Sequence, residues 1–307
     1  MISVLVPTLN RSNKIKSCLK SILTSSYREF EVLIIDQSAD HRTENAVKKL
    51  NSQKIKYFKI SSKGKSKALN FAIPNARGDI IAFTDDDCIV DRNWLKETVS
   101  SFRAKLDISG VLGIVLPYRP WAHKGEVCLA VSMNRKEHFA RASAFRFEDL
   151  GMGTNMVFRK SIFKKIGNFK WWLGVGSISR GGIESEFIYR VIRNNKIVYI
   201  NPEVKVFHDR WMKVSEEQKK QNQYACGFIA FCFYYLFKGD LKVLPLIYAK
   251  LKRRIGKRLV ASLKTKSAKI ILSTIFSIFE ETFYYVRGVF LGFYFRFFEN
   301  FYVSSNG

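Results

Sequence analysis

Three consecutive carboxylates, Asp85, Asp86 and Asp87, follow the apolar run Ile80 to Phe83. A run of that kind suits a strand buried on both faces. Open α/β sheets collect their ligands outside the carboxyl ends of such strands. If the backbone stays extended, Asp85 and Asp87 share one side and Asp86 points away. Two hard oxygen donors on one side suit Mg²⁺ or Mn²⁺, most naturally an ion already carrying substrate phosphates. The same triplet also reads as an acidic turn leading to a helix near Trp94. A second site of this type is Asp36, which ends the apolar strand that begins at Glu31. Lys63, Lys65 and Lys67 surround Gly64 where a helix begins, a place favourable for anions, or else simply a solvated basic loop. Glu184 and Glu186 open an amphipathic helix, Ile183 to Ile192, behind Gly181 and Gly182. Acids in a first turn complement the helix dipole. A glycine-bounded loop that brings a carboxylate to a helix start also presents a general base, and both readings stand.

These groups need a scaffold, and the apolar pattern supplies one. Ile2 to Thr8 reads as a buried strand, followed by a helix capped by Ser12 with Ile15, Leu19, Ile22 and Leu23 inside. Strands at Glu31 to Asp36 and Ile55 to Ile60, with helices at Thr43 to Leu50 and after Lys63, lead to the carboxylate strand. This alternation at short spacing predicts a parallel sheet with right-handed crossovers. A strand at Ser109 to Leu116 precedes an irregular insertion from Arg119 to Phe147. Next come a glycine-rich loop and strand, Gly151 to Phe158, and a helix from Ser161 to Ile166. Two further strands, Lys196 to Ile200 and Glu203 to Phe207, end at His208. No GxGxxG and no GxxxxGK[ST] occurs, so phosphate binding falls to metal and basic side chains.

Composition narrows the partners. In 307 residues, 52 Lys and Arg face 26 Asp and Glu, a formal charge of +26. Such a surface attracts nucleotide, lipid or nucleic-acid phosphates. Five scattered cysteines without a CxxC pair fit a reducing compartment. The first strand begins at Ile2, which leaves no secretory signal ahead of it.

Taken together, these segments resemble the family 2 glycosyltransferases, which have the GT-A fold, over about residues 1–210, roughly two thirds of the chain. Val4 to Arg11, with Pro7, Thr8 and Asn10, looks like the family's opening strand and base-binding turn. Ile34 to Ser38 is similar to its second strand, whose aspartate, here Asp36, contacts the base. Lys67-Ala68-Leu69-Asn70 sits where members carry a basic residue and an Asn beside the nucleotide. Phe83 to Asp87 looks like the DxD segment. Gly151 to Met156, containing Asn155, resembles the strand lining donor sugar and acceptor. Gly181 to Phe187 aligns with the segment often written GGEDxDF, and Tyr199 to Pro202 with His208 completes the series.

The resemblance implies an α/β, GT-A type, mostly parallel sheet flanked by helices. It also implies inverting transfer from a nucleotide-diphosphate sugar to a hydroxyl acceptor, a glycan or lipid-linked glycan. Glu184 is then the base, because Ile183-Glu184 replaces the usual Glu-Asp pair. Glu186, about 200° round the helix, packs or pairs locally. Mn²⁺ or Mg²⁺ is held by Asp87 with Asp85 and His208, and Lys67, Asp85 and Asp86 face the ribose and diphosphate. Lysine at 67 replaces a bidentate arginine with a point charge. The Gln-x-x-Arg-Trp box of processive synthases is missing, since Phe207 stands three residues before Arg210. One sugar per encounter is therefore expected.

Residues 1–216 are read as the catalytic domain and 217–307 as a basic, aromatic-rich helical appendage. The appendage holds apolar stretches at Tyr224 to Phe237, Leu241 to Leu251 and Ile270 to Phe301. A basic block, Lys250, Lys252, Arg253, Arg254, Lys257, Arg258, Lys264, Lys266 and Lys269, lies between them. Charges at Glu280, Glu281, Arg287 and Arg296 disfavour a span, each central charge costing about 2.5–3.5 kcal/mol. Amphipathic helices on an anionic membrane surface fit better, peripheral and on the cytoplasmic side. Helices packed on the catalytic domain or on a second subunit are the alternative. Two other functions compete: a catalytically inactive sugar-nucleotide-binding protein, and a basic nucleic-acid-binding module. Unscreened carboxylates at the strand ends would repel nucleic acid, so none is expected as a partner.

Overall fold

The apolar runs at the start of the chain become strands in the computed structural model, three of them buried and the third in order, Ile55–Lys59, only partly so. The model describes residues 1–133, 136–143, 145–265 and 267–304. Ile2–Thr8 (β1), Phe30–Asp36 (β2), Ile55–Lys59 (β3) and Ile80–Phe83 (β4) are joined through Ser12–Leu23 (α1), Arg42–Lys48 (α2) and Lys65–Asn75 (α3). β1 pairs in parallel with both β2 and β4, and β2 with β3, as the alternation predicts. Cys88–Val90 (β5), Trp94–Ala104 (α4) and Ile108–Pro117 (β6) follow. Then come Val127–Cys128 (β7), His138–Ala140 (β8), Met156–Arg159 (β9) and Ser161–Ile166 (α5). β9 runs antiparallel between β4 and β6, and the sheet order is β3-β2-β1-β4-β9-β6. The order continues through Ile197–His208 (β10), parallel to β6, to β5, antiparallel to β10.

The two strands expected between Lys196 and Phe207 are one, β10, with a register irregularity against β6 between Ile200 and Lys205. Asn201 and Pro202 fall inside that irregularity, so the proline bends the strand without ending it. Ile15, Cys18, Leu19 and Ile22 of α1 are buried, each of the isoleucine and leucine side chains contributing about 1.5–3 kcal/mol. Ser12 is the first residue of α1 rather than its cap; Arg11 holds the cap position without a side-chain bond to the helix. Its guanidinium is committed to carboxylates elsewhere.

The chain divides into two compact units, Met1–Trp171 with Phe187–Glu217, and Trp172–Glu186 with Gln218–Gly307. The first contains the sheet. The second takes the start of Ile183–Arg193 (α6) and most of Val214–Leu236 (α7). It also contains Leu244–Leu251 (α8), Lys257–Lys264 (α9) and Ala268–Ser304 (α10). Trp211–Met212 (β11) pairs with β7 in the first unit. In the second, Gly288 and Gly292 of α10 lie against the backbone of α7, where a Cβ would stand 2.7 Å from the Cys226 carbonyl and 2.6 Å from that of Ala230. Any larger residue would separate the two helices.

Candidate active site

β4 ends at Phe83, so the three carboxylates lie in a turn and not on a strand. The expected alternation therefore fails, because it needs an extended backbone. Asp86 and Asp87 converge instead: one nitrogen of Arg11, Nη1, donates to Asp86 Oδ1 at 2.8 Å and to Asp87 Oδ2 at 2.6 Å. Thr8, at the end of β1, donates its hydroxyl to Asp86 Oδ2 at 2.7 Å. Asp85 turns elsewhere and pairs with Lys65 at the start of α3.

Chain reversal supplies the other side of the site. β5 pairs with the end of β10 so that Cys88 faces His208. This brings residues 121 apart in sequence together, with His208 Nε2 3.1 Å from Asp87 Oδ1. His208 Nδ1 donates to the Leu129 carbonyl at 2.5 Å, a bond that fixes the ring and aims Nε2 at the carboxylate. Donor atoms of Asp87, Cys88 and His208 all lie within 4.8 Å of one another, and all three residues are buried.

Electrostatics divides the carboxylates. Burial works against charge on Asp87, but the His208 bond and the charges of His208 and Arg11 outweigh it and hold the group well below the usual carboxylate range. Burial pushes Asp86 above that range; Arg11 opposes the rise and Asp87 adds to it. His208 is lowered by burial and raised further by Asp87, with a net rise. The Cys88 thiol is driven up by burial and by Asp87.

Asp87 and His208 thus fit the expected divalent cation. The shared Arg11 nitrogen shows that oxygens of Asp86 and Asp87 are already set around one positive charge. Asp85 is not in that cluster, being drawn to Lys65.

The remaining expected residues separate into two groups. Asp36 is buried at the end of β2, accepting from Ser38 N–H at 2.8 Å and from the Tyr57 hydroxyl at 2.6 Å. Asn10 is exposed, with φ +56°, and donates its N–H to Ser38 Oγ at 2.8 Å. The end of β1, with Pro7 and Thr8, and the end of β2 are thereby tied into one turn region. Lys67 is exposed on the first turn of α3, its Nζ 6.0 Å from the centre of the Trp171 ring.

Two asparagines bond to groups of the protein itself. Asn70 exchanges bonds with the Phe169 backbone at 2.8 and 3.0 Å. Asn155 accepts from Trp94 Nε1 at 2.9 Å and donates to the carbonyls of Ile114 and Val204 at 2.7 and 2.9 Å. Its amide is saturated inside the protein, and donor contact by Asn155 is replaced by a bracing role between β9, β6 and β10.

Glu184 is half-buried in the first turn of α6, whereas Glu186 is fully buried and accepts from the Tyr235 hydroxyl at 2.7 Å. Glu186 is thus packed inward, and the partner seen is 49 residues away on α7 and not a local one. Gly181 and Gly182, just before them, lie against α7, where a Cβ on Gly227 would stand 2.1 Å from the Gly181 carbonyl.

Arg11 is the member of this cluster that composition and spacing did not single out. Its partners are 75 and 76 residues away, so no local pattern announces it. The hydroxyls of Thr84 and Thr154 are also new: both are buried and have no hydrogen-bond partner among the described residues.

Residues 3–167 match the glycosyl transferase family 2. An uncharacterized glycosyltransferase of Rickettsia conorii is 40% identical over 87 residues, 28% of this chain and 14% of that protein. The Staphylococcus aureus poly(ribitol-phosphate) beta-N-acetylglucosaminyltransferase TarS is 29% identical over 103 residues, 32% of this chain and 18% of that one. Each match thus spans less than a fifth of the relative. Among solved structures, the mannosyltransferase PcManGT from Pyrobaculum calidifontis, in complex with GDP-Man and Mn²⁺, is 16% identical with a TM-score of 0.61. That likeness covers 97% of this chain and 87% of the other. S. aureus TarS 1–349 in complex with UDP-GlcNAc is 18% identical, covering 73% of this chain and 65% of that one, with a TM-score of 0.56. At these identities the likeness is one of fold, and it is the GT-A type that the motifs predict.

Proposed function

This chain belongs to glycosyl transferase family 2, and from that premise we propose an inverting, metal-dependent transferase that moves one sugar from a nucleoside-diphosphate sugar to a hydroxyl of a glycan or lipid-linked glycan. The observation that carries this is the convergence of Asp86, Asp87, Arg11 and His208 beyond the ends of β1 and β4. Two buried carboxylates and a buried histidine converge there, a donor set that can hold a divalent ion also carrying substrate phosphates.

The acceptor oxygen attacks the anomeric carbon from the face opposite the diphosphate. The bond from that carbon to the phosphate oxygen breaks and its electron pair leaves with the diphosphate. The acceptor proton passes to a carboxylate, for which Glu184 is proposed. Glu186 is the weaker choice, because it is fully buried with the Tyr235 hydroxyl on its Oε1. Mn²⁺ or Mg²⁺ held by Asp87 and His208 would offset charge on the departing diphosphate. Arg11, Lys65 and Lys67 add positive charge to the same end of the sheet, Asp85 is assigned to the ribose or diphosphate side, and Asp86 holds Arg11 and Thr8 in place. Thr8, Pro7 and Asn10, tied to the turn after Asp36, are assigned to the base.

A thermal-shift panel of UDP- and GDP-sugars, with and without Mn²⁺, tests the donor class. At least one nucleotide sugar should raise the melting temperature, and Mn²⁺ should enlarge the shift. A panel flat throughout would end the proposal. Glu184→Gln keeps shape without basicity, so donor binding should persist while turnover falls roughly 10²–10⁴-fold. Near-normal turnover in Glu184→Gln with collapse in Glu186→Gln would move the base two residues on.

A further inference from the structure

The surface least explained by sugar transfer is the outer face of α10. Phe276, Phe279, Phe283, Val286, Phe290 and Phe293 follow at alternating steps of three and four and are 47 to 74% exposed. On an ideal helix this places them on a single stripe. A second stripe, Glu281, Tyr285, Gly288, Gly292 and Phe295, runs roughly 170° away and is buried. The inner stripe already has partners in its own unit, namely α7 at the two glycines and Arg254 and Arg258 at Glu281. The aromatic stripe therefore faces outward because the helix's packing side is already taken. Water-exposed apolar area of this extent marks a surface for a partner.

Charge selects the partner. Residues 218–307 hold fifteen Lys and Arg against four Asp and Glu. Arg254 and Arg258 are committed internally to Glu281, while Lys252, Arg253, Lys264 and Lys269 remain exposed. A second copy would set two such basic surfaces face to face. No helix among the described residues is long and apolar enough to cross a membrane.

We propose that the Phe276–Phe293 face of α10 lies in the plane of an anionic lipid surface, its rings among the acyl chains and the exposed lysines and Arg253 on the headgroups. This narrows the surface from the whole appendage to one face of one helix. It excludes α7, whose residues from Ala225 to Cys232 are buried.

Flotation of the full chain with vesicles tests this, using phosphatidylcholine with and without phosphatidylglycerol. Wild type should float with the anionic vesicles only. Phe279→Ser with Phe283→Ser, both at exposed positions, should weaken partition by about tenfold or more. Lys252→Gln with Lys264→Gln and Lys269→Gln should do the same and remove the salt sensitivity. Circular dichroism and the nucleotide-sugar thermal shift of each variant should match wild type, so loss of lipid binding is read separately from donor binding. Unchanged partition in the phenylalanine variant overturns the proposal. So does a wild type that ignores vesicles, or one that elutes as a dimer which the phenylalanine variant converts to monomer.

Discussion

The sheet-bearing unit and the helical unit dispose of charge and aromatic rings in opposite ways. In the first, phenylalanines such as Phe83, Phe158 and Phe187 are buried, and Asp36, Asp86 and Asp87, also buried, gather at strand ends. In the second, Glu281 is fully buried between Arg254 and Arg258, with Tyr285 donating to it at 2.6 Å, while six or more large apolar side chains of α10 face out. The first is the ordinary arrangement of a domain in contact with water. The second is the arrangement that the proposed lipid neighbour would account for. Under the proposals above, Asp86, Asp87, Arg11 and His208 belong to the first unit, while Glu184 and the outward aromatic stripe belong to the second.

Asp87→Ala should break the chemistry alone. It removes the carboxylate shared by Arg11 and His208, and turnover should fall by about 10²–10³-fold or more. The Mn²⁺-dependent thermal shift should go with it, while partition onto anionic vesicles stays as in wild type. A variant that kept the Mn²⁺-dependent shift would remove Asp87 from the metal site.

A structural change in the helical unit should have a smaller cost and the opposite signature. Glu281→Gln leaves two arginines facing each other without their counter-charge, a loss of about 3 kcal/mol by analogy with broken buried pairs. Chemical denaturation should show that loss. Donor affinity of the folded fraction should be unchanged, and a shift in donor affinity would mean that Glu281 does more than hold its own helices together.

The smallest effect belongs to Glu31, at the opposite end of β2 from Asp36. Burial alone would raise its carboxyl, but bonds from the Ser3 hydroxyl, the Arg77 N–H, Lys56 and the Arg77 side chain bring it down to about 2. A folded value below the unfolded one means that the stabilisation is complete above about pH 4.5 and is lost as pH falls from there toward 2. The loss should be on the order of 2 kcal/mol, read as a steeper acid limb in wild type than in Glu31→Gln. Equal slopes would place the acid sensitivity in another carboxylate.

From sequence alone, the parallel β1 to β4 layout was legible, because β1, β2 and β4 are short apolar runs whose burial leaves few alternatives, and the half-exposed β3 follows from the alternation with helices. The carboxylate triplet at a strand end, the glycine-preceded helix at Ile183 and the family were legible for the same reason: each is a local pattern. Tertiary structure alone decided which side chains meet. The backbone turns after Phe83, so Asp86 joins Asp87 while Asp85 leaves for Lys65. Arg11 reaches the site from another strand end, and the reversal into β5 sets His208 beside residues more than a hundred positions earlier. Asn155 looked like a ligand contact and proved to be a core brace, since an amide's partners are invisible in a one-dimensional string. In the appendage the composition announced basic and aromatic character, but only packing could divide it. Close helix approach at Gly288 and Gly292 uses up one face of α10 and α7, Glu281 draws two of the arginines inward, and the phenylalanines are left on the side that remains.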